Sequence, residues 1–284
     1  MLPLINMPII DSHIHLWDIE HLDYAWLDKV IPIRKSYFIE DYQDAVKDIP
    51  VEKMVFIQAE CRPEQFLAEV NFVEEQAQKD NRIQGIVAYS AIELGKQVEP
   101  ILKVLQKHPL IKGIRRMYDD APGLCCSSAF IDGLHLLPLY GFTFDISITP
   151  NSIPDTIKMI KSCPGTLFIL DHLGKPGIKA GSINDFKKNI GKLAAFPNVV
   201  AKLSGIITEA DWKSWTTGDI SPYIEHAVNC FGYDRLMFGS DWPVLLLAGT
   251  WQQWLTGLQE ILGNRNSTGF QKIFYKNAIK IYRL

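Results

Sequence analysis

The sequence predicts an α/β protein folded as a (β/α)8 TIM barrel, one domain over residues 1–284, on three observations. Eight short apolar runs alternate with polar-faced helical stretches. Each run is hydrophobic almost throughout, as parallel strands covered on both faces are. The length of 284 residues suits one large core, and roughly 250 residues is typical of such a barrel.

The runs are 8–13 (PIIDSH), 53–59 (KMVFIQA), 83–89 (IQGIVAY), 111–117 (IKGIRRM), 142–148 (FTFDISI), 166–171 (TLFILD), 198–204 (NVVAKLS) and 235–240 (RLMFGS). The apolar N-terminus MLPLINMPII leads straight into the first of them and is read as part of that strand. Helical patterns occupy 63–79, where Phe66, Val70, Phe72 and Val73 stand among charges, then 97–107, 127–140, 151–162, 183–195, 219–231 and 250–262. Residues 268–282 read as a closing helix. Pro and Gly fall mainly between elements, as turn chemistry requires. The stretch 17–38 is too long for an ordinary βα loop, and its aromatics predict an insertion packed over the barrel mouth. A doubly wound open sheet ranks second. It would normally carry a Gly-rich phosphate loop after the first strand, where this chain has histidines.

Composition excludes several classes. Apolar residues make up 47% and charged residues 21%, the balance of a soluble globular protein. The net charge of −3 comes with no basic cluster of the kind that neutralises phosphates, so no nucleic-acid partner is expected. No apolar run approaches the roughly 20 residues that span a bilayer, so no membrane role is expected. The N-terminus lacks a basic segment and a small-residue cleavage site, which makes the cytoplasm the expected compartment. The five cysteines are odd in number, scattered and free of CxxC spacing, and are read as reduced, packed thiols. The sequence leaves self-association into a homo-oligomer open.

Three features carry chemistry. In Asp11-Ser12-His13-Ile14-His15, the two histidines lie at i and i+2 and project together from the end of the first strand. That end is the catalytic face of a barrel, where two imidazoles suit a metal ion or a substrate oxygen. His172 follows a strongly apolar strand and precedes a Gly174-Lys175-Pro176 turn. Asp241 ends the eighth strand in Phe238-Gly239-Ser240-Asp241-Trp242-Pro243, placed to act as a general base on water. Each has an ordinary alternative: a packed histidine pair, a turn cap, and an N-cap aspartate. Their common placement at strand ends favours the functional reading. No G-x-S-x-G elbow is present, which argues against a covalent serine mechanism.

The chain resembles the amidohydrolase-related lactonases and decarboxylase-like hydrolases. The matching stretches run nearly end to end: DSHIHLWD (11–18), YAWL (24–27), FIQAE (56–60), IKGIRR (111–116), GFTFDI (141–146), DHLGKP (171–176), AKLSG (201–205) and DRLMFGSDWPV (234–244). It is most similar to the sugar-lactone branch, with L-fuconolactone, L-rhamnonolactone and 2-pyrone-4,6-dicarboxylate hydrolases. The resemblance implies a hydrolase that opens a small sugar-acid lactone in carbohydrate metabolism. It implies that Asp241 activates water and that His13, His15 and His172 surround the lactone carbonyl or a metal. It places Arg115, Arg116, Gln58, Asp145 and Trp242 around the substrate. The expected cofactor is none, or one divalent zinc at His13, His15 and Asp241 with His172 beside it. A two-metal site does not fit, because strand four offers arginines and strand five offers Asp145 in place of a histidine. A metal-dependent decarboxylase or a 2-pyrone-4,6-dicarboxylate-type lactonase is the competing activity, and a catalytically dead binding protein is the third reading.

His21, His108, His135 and His226 fall in loops or helices and are read as surface or packing residues. Trp212 and Trp215 either wall the site after strand seven or form an ordinary loop cluster. The same two readings, reactive or packed, apply to Cys125 and Cys126 after strand four.

Overall fold

The computed structural model describes residues 7–263 and 267–284. Residues 1–6, assigned above to the first strand, lie outside the described residues, as do 264–266. The strands are β1 (Ile9–Ile14), β2 (Val51–Ile57), β3 (Ile83–Tyr89), β4 (Ile111–Arg115), β5 (Thr143–Ile146), β6 (Phe168–Leu170), β7 (Val199–Leu203) and β8 (Leu236–Phe238). They lie in sequential order in one parallel sheet. β8 returns to β1 through the Asp241 N–H donating to His13 O (2.8 Å) and the His15 N–H donating to Trp242 O (2.7 Å). The architecture is the expected (β/α)8 barrel.

Helices α1 (Ile39–Ala45), α2 (Phe66–Lys79), α3 (Glu99–Leu105), α4 (Ser128–Leu136), α5 (Ile153–Ser162), α6 (Ile183–Ala194), α7 (Thr217–Phe231) and α8 (Trp251–Leu262) wrap the sheet. A closing segment follows as α9 (Thr268–Gln271), a π-turn and α10 (Asn277–Tyr282). The sequence did not suggest α1, whose single short turn pattern is masked by the aromatic insertion before it. The predicted runs 111–117, 142–148, 166–171 and 235–240 overshoot the ladders. Their last residues turn out of the sheet into the loops of the mouth.

Two cores result. Strand positions facing outward pack against the helices. A smaller group fills the bore: Ile10, Val55, Ile57, Val87, Ile169, Val200 and Met237, plugged from below by Ala278, Ile281 and Tyr282 of α10. Above that plug the bore turns polar. On β7 the period of two runs Val200, Lys202, Ser204, from apolar floor to site. β1 breaks its period: the register shifts between Asp11 and Ile14. Asp11 faces the helix layer while His13 and His15 face the bore, as a local bulge permits.

Among the described residues, no helix is long and apolar enough to cross a membrane.

Candidate active site

The bore opens at the strand C-termini into a cavity of about 550 Å³ whose wall includes His15, Arg115, Arg116, Lys175, Glu209 and Asp241. Trp26, from the 17–38 insertion, forms part of the wall. Its indole N–H donates to Ala59 O at 2.7 Å, so the insertion does pack over the mouth.

The strand-end residues are held in uncommon backbone. Glu60, His172, Lys175 and Asp241 all have left-handed φ, between 49° and 63°, and all line the cavity. Non-glycine residues in this region cost roughly 1–3 kcal/mol each and persist where the surroundings over-determine them. For Asp241 the surroundings are explicit. Its N–H donates to His13 O and its carbonyl accepts from Leu245 N–H at 3.0 Å. One residue earlier, the Ser240 N–H donates to Asp11 Oδ1 at 2.8 Å. Asp11 Oδ2 accepts from Tyr42 Oη (2.8 Å) and Trp251 Nε1 (3.0 Å), tying β1, α1, α8 and the end of β8 to one buried carboxylate.

The four residues singled out from the sequence converge. His13 Nε2 lies 3.2 Å from His15 Nε2 and 3.5 Å from Asp241 Oδ1. His15 Nε2 lies 3.3 Å and His172 Nε2 3.9 Å from the same oxygen. His15 Nδ1–H donates to the Ile57 carbonyl at 2.7 Å, and His172 Nδ1 meets Ser204 Oγ at 3.0 Å. Burial lowers the pKa of all three imidazoles, that of His15 to about 3 with Arg115 adding to the effect. Arg115, Arg116 and Lys175 are the basic side chains on this wall. Burial raises the Asp241 carboxyl above the ordinary range, against the pull of His172, Arg115 and Lys175. Burial likewise pushes Glu209 up to about 7.

Arg115 lines the cavity and is nonetheless buried. It donates to Asp171 Oδ2 (3.3 Å) and to the Gln58 carbonyl, and its Nε–H has no protein partner. Arg116 reaches the same cavity with its guanidinium bound to Glu93 at 2.8 Å.

Three residues expected around the substrate lie behind the cavity wall. Gln58, Asp145 and Trp242 are fully or almost fully buried and stand off the cavity wall. Gln58 accepts from the Glu60 N–H at 2.6 Å and so shapes the turn behind the wall. Asp145 accepts from Lys202 (2.6 Å) and from Tyr282 Oη (2.7 Å) inside the bore. Trp242 packs edge-on between Tyr37 and Tyr42. Sequence reasoning passed over Lys202, Asp171, Ser204 and Glu209. The first and third show as bore positions of β7 only once the period of two is counted inside an almost wholly apolar run.

Trp212 and Trp215 line a separate groove along α7 and α8 rather than this cavity. Cys125 is buried and its thiol is pushed up to about 12, the packed reading. His21, His108, His135 and His226 all bond away from the site.

The donor set fits one divalent ion. His13, His172 and Asp241 each offer one ligand atom, all within 4.8 Å of one another and all buried. This differs from the expected His13, His15 and Asp241 set in which imidazole completes it. Two nitrogens and a carboxylate oxygen suit zinc.

A hydrolytic barrel with its site at the strand C-termini is the class these features define. Residues 10–284 match the family described as Amidohydrolase, and the chain belongs to it. Among curated relatives, an L-fucono-1,5-lactonase of Burkholderia multivorans is 27% identical over 86% of this chain and 85% of its own. An L-rhamnono-gamma-lactonase of Scheffersomyces stipitis is 26% identical over 97% and 98%. An amidohydrolase of Burkholderia multivorans, solved with bound zinc, superposes with a TM-score of 0.88 at 25% identity, covering 98% of this chain and 100% of that one.

Proposed function

We propose that this protein hydrolyses a small, neutral, polyhydroxylated lactone, of the L-fuconolactone or L-rhamnonolactone kind. The observation that carries the reading is the convergence of Asp241 with His13, His15 and His172 at the floor of a cavity that Arg115 also lines. Two curated relatives with lactonase names support it. The cavity volume falls within the roughly 300–1,000 Å³ of small-molecule sites.

Asp241 takes a proton from water as the water oxygen attacks the lactone carbonyl carbon. The negative charge developing on the carbonyl oxygen is stabilised by the Arg115 guanidinium and by the His172 Nε2–H, with His172 Nδ1 turned to Ser204. As the ring C–O bond breaks, the protonated Asp241 carboxyl gives its proton to the leaving alkoxide. If an ion is bound at His13, His172 and Asp241, it supplies Lewis-acid polarisation at the same place. Charge on the wall selects the substrate. Glu60, Asp119, Asp120, Glu209 and Asp241 line the wall together with Arg115, Arg116 and Lys175. Sugar hydroxyls donate to such carboxylates, whereas a dicarboxylate or an aromatic acid is repelled by them.

The test is a panel of sugar-acid lactones followed with a pH indicator, with 2-pyrone-4,6-dicarboxylate and hydroxybenzoic acids alongside. Turnover of a neutral lactone is expected. Carbon dioxide release from an aromatic acid, or preference for the dicarboxylate, would replace this reading with the competing one.

Two further outcomes follow from the site. Arg115→Met is expected to lower kcat/KM at least about tenfold, given ~1.5–3 kcal/mol for a charge-assisted hydrogen bond. Because Arg115 also binds Asp171, a thermal melt accompanies the kinetics. An unchanged kcat/KM removes Arg115 from the substrate contacts. Zinc titration is expected to saturate at no more than one equivalent, and hydrolysis to survive prolonged chelation. The carboxylates Asp145 and Asp171, which a second ion would need, already hold the Lys202 ammonium at 2.6 and 3.0 Å. Two equivalents of zinc, or activity lost to chelator and restored by zinc, would overturn this.

A further inference from the structure

Lys202 is fully buried in the bore, below the cavity and off its wall. An ammonium carries three hydrogens and no lone pair, and three groups surround this one. Asp145 Oδ2 lies at 2.6 Å, Asp171 Oδ1 at 3.0 Å and His13 Nδ1 at 3.3 Å. Tyr282 Oη completes Asp145 from below at 2.7 Å. The arrangement is that of a cation among two carboxylates and an imidazole, with the ammonium in the cation's place.

We propose that Lys202 is a positioning residue: its N–H donates to His13 Nδ1, places the ring hydrogen of His13 on Nε2, and thereby sets which atom His13 presents to the reaction centre. The alternative is a His13 Nδ1–H donating to Asp171. Asp171 Oδ1 is also 3.3 Å from that nitrogen, but its nearer partner is the Lys202 ammonium at 3.0 Å. The placement is consistent above the ring as well. His15 spends its Nδ1–H on Ile57 O, so His15 Nε2 is an acceptor, and His13 Nε2 faces it at 3.2 Å. The chain of donation therefore runs Lys202, His13, His15 without two hydrogens or two lone pairs meeting. Lys202 also opposes metal binding. An ion held at His13 Nε2 needs the hydrogen on Nδ1, and Lys202 both occupies that acceptor and adds a positive charge beside it.

The experiment compares the wild-type protein with Lys202→Met. Two-bond 1H–15N correlation of histidine-labelled protein reads the hydrogen on His13 directly: Nε2 is expected in the wild type and Nδ1 in the variant. Zinc affinity, measured against a chromophoric chelator, is expected to rise about tenfold or more in the variant, the scale on which partners of metal ligands act. Neither readout needs a substrate, so each stands or falls apart from the lactonase reading. The kinetic arm rests on that reading: kcat falls about tenfold while KM, set by the cavity wall, moves less than about twofold. An unmoved hydrogen with unchanged zinc affinity overturns the proposal. Should Lys202→Met not fold, with two buried carboxylates left short of a cation, the double variant Asp145→Asn/Lys202→Met removes one charge of each sign. It carries the same expectations and the same overturning result.

Discussion

Asp241→Asn is expected to lower kcat by at least about a hundredfold, within the roughly 10²–10⁴ that general-base catalysis contributes. Asparagine keeps the shape of the side chain and part of its hydrogen bonding near His13, His15 and His172, but it takes no proton from water. The pH profile supplies a second reading. Activity needs the carboxylate, so kcat/KM falls as pH drops through the Asp241 pKa. Burial raises that pKa, so the acidic limb lies above the ordinary carboxylate range, and the Asn variant lacks it. Stability runs the other way. A folded-state pKa above the unfolded value means the folded protein binds the extra proton between the two, and stability declines as pH rises through that window. Asparagine escapes this cost, so the variant melts at or above the wild-type temperature at neutral pH. Near wild-type turnover by Asp241→Asn would end the mechanism, and His172 would be the next base to test.

The barrel was legible because parallel strands covered on both faces must be apolar almost throughout, and eight such runs stand out of this chain. That same continuity hid the inside of the barrel. In β7 the residues Val199, Ala201 and Leu203 serve the helix layer while Val200, Lys202 and Ser204 serve the bore. One lysine in an apolar run carries no label saying which face it takes. His13, His15, His172 and Asp241 were legible because strand ends are where a barrel puts its chemistry. Trp242, Gln58 and Asp145 were assigned to the same mouth by the family resemblance, which does not say which way each side chain turns. At a strand end, though, successive residues point to opposite sides, so Trp242 next to Asp241 turns into the packing of Tyr37 and Tyr42. The role of Asp11 was hidden for a different reason. Its partners Tyr42 and Trp251 are distant in sequence, and the register shift that turns it away from His13 leaves no trace in composition.

Gly205→Ala is expected to lower kcat about a hundredfold although no reacting group is changed. Gly205 follows β7 with φ of +59°, where a side chain is strained by about 1–2 kcal/mol. Space is the larger problem. A Cβ there would lie 2.5 Å from His172 Nδ1 and 2.8 Å from Asp241 Oδ2, so the methyl and the two site residues cannot keep their places together. His172 is held by a left-handed backbone and by the Nδ1 contact with Ser204, which the methyl would crowd, and Asp241 by its backbone bonds to His13 and Leu245. Whichever yields, the distance between base and imidazole changes by a sizeable fraction of an ångström, and a misplacement near 1 Å costs roughly 10²-fold. The strain and the collision separate experimentally. Gly141 has φ of +75° with nothing within 4 Å of its Cβ, so Gly141→Ala carries the backbone cost alone. Gly141→Ala is expected to melt a few degrees lower, as about 1–2 kcal/mol implies for a chain of this size, and Gly205→Ala at least as far. Only Gly205→Ala is expected to lose turnover. Equal kcat in the two variants would mean that His172 and Asp241 tolerate displacement, and that the tight packing around Gly205 serves the fold and not the reaction.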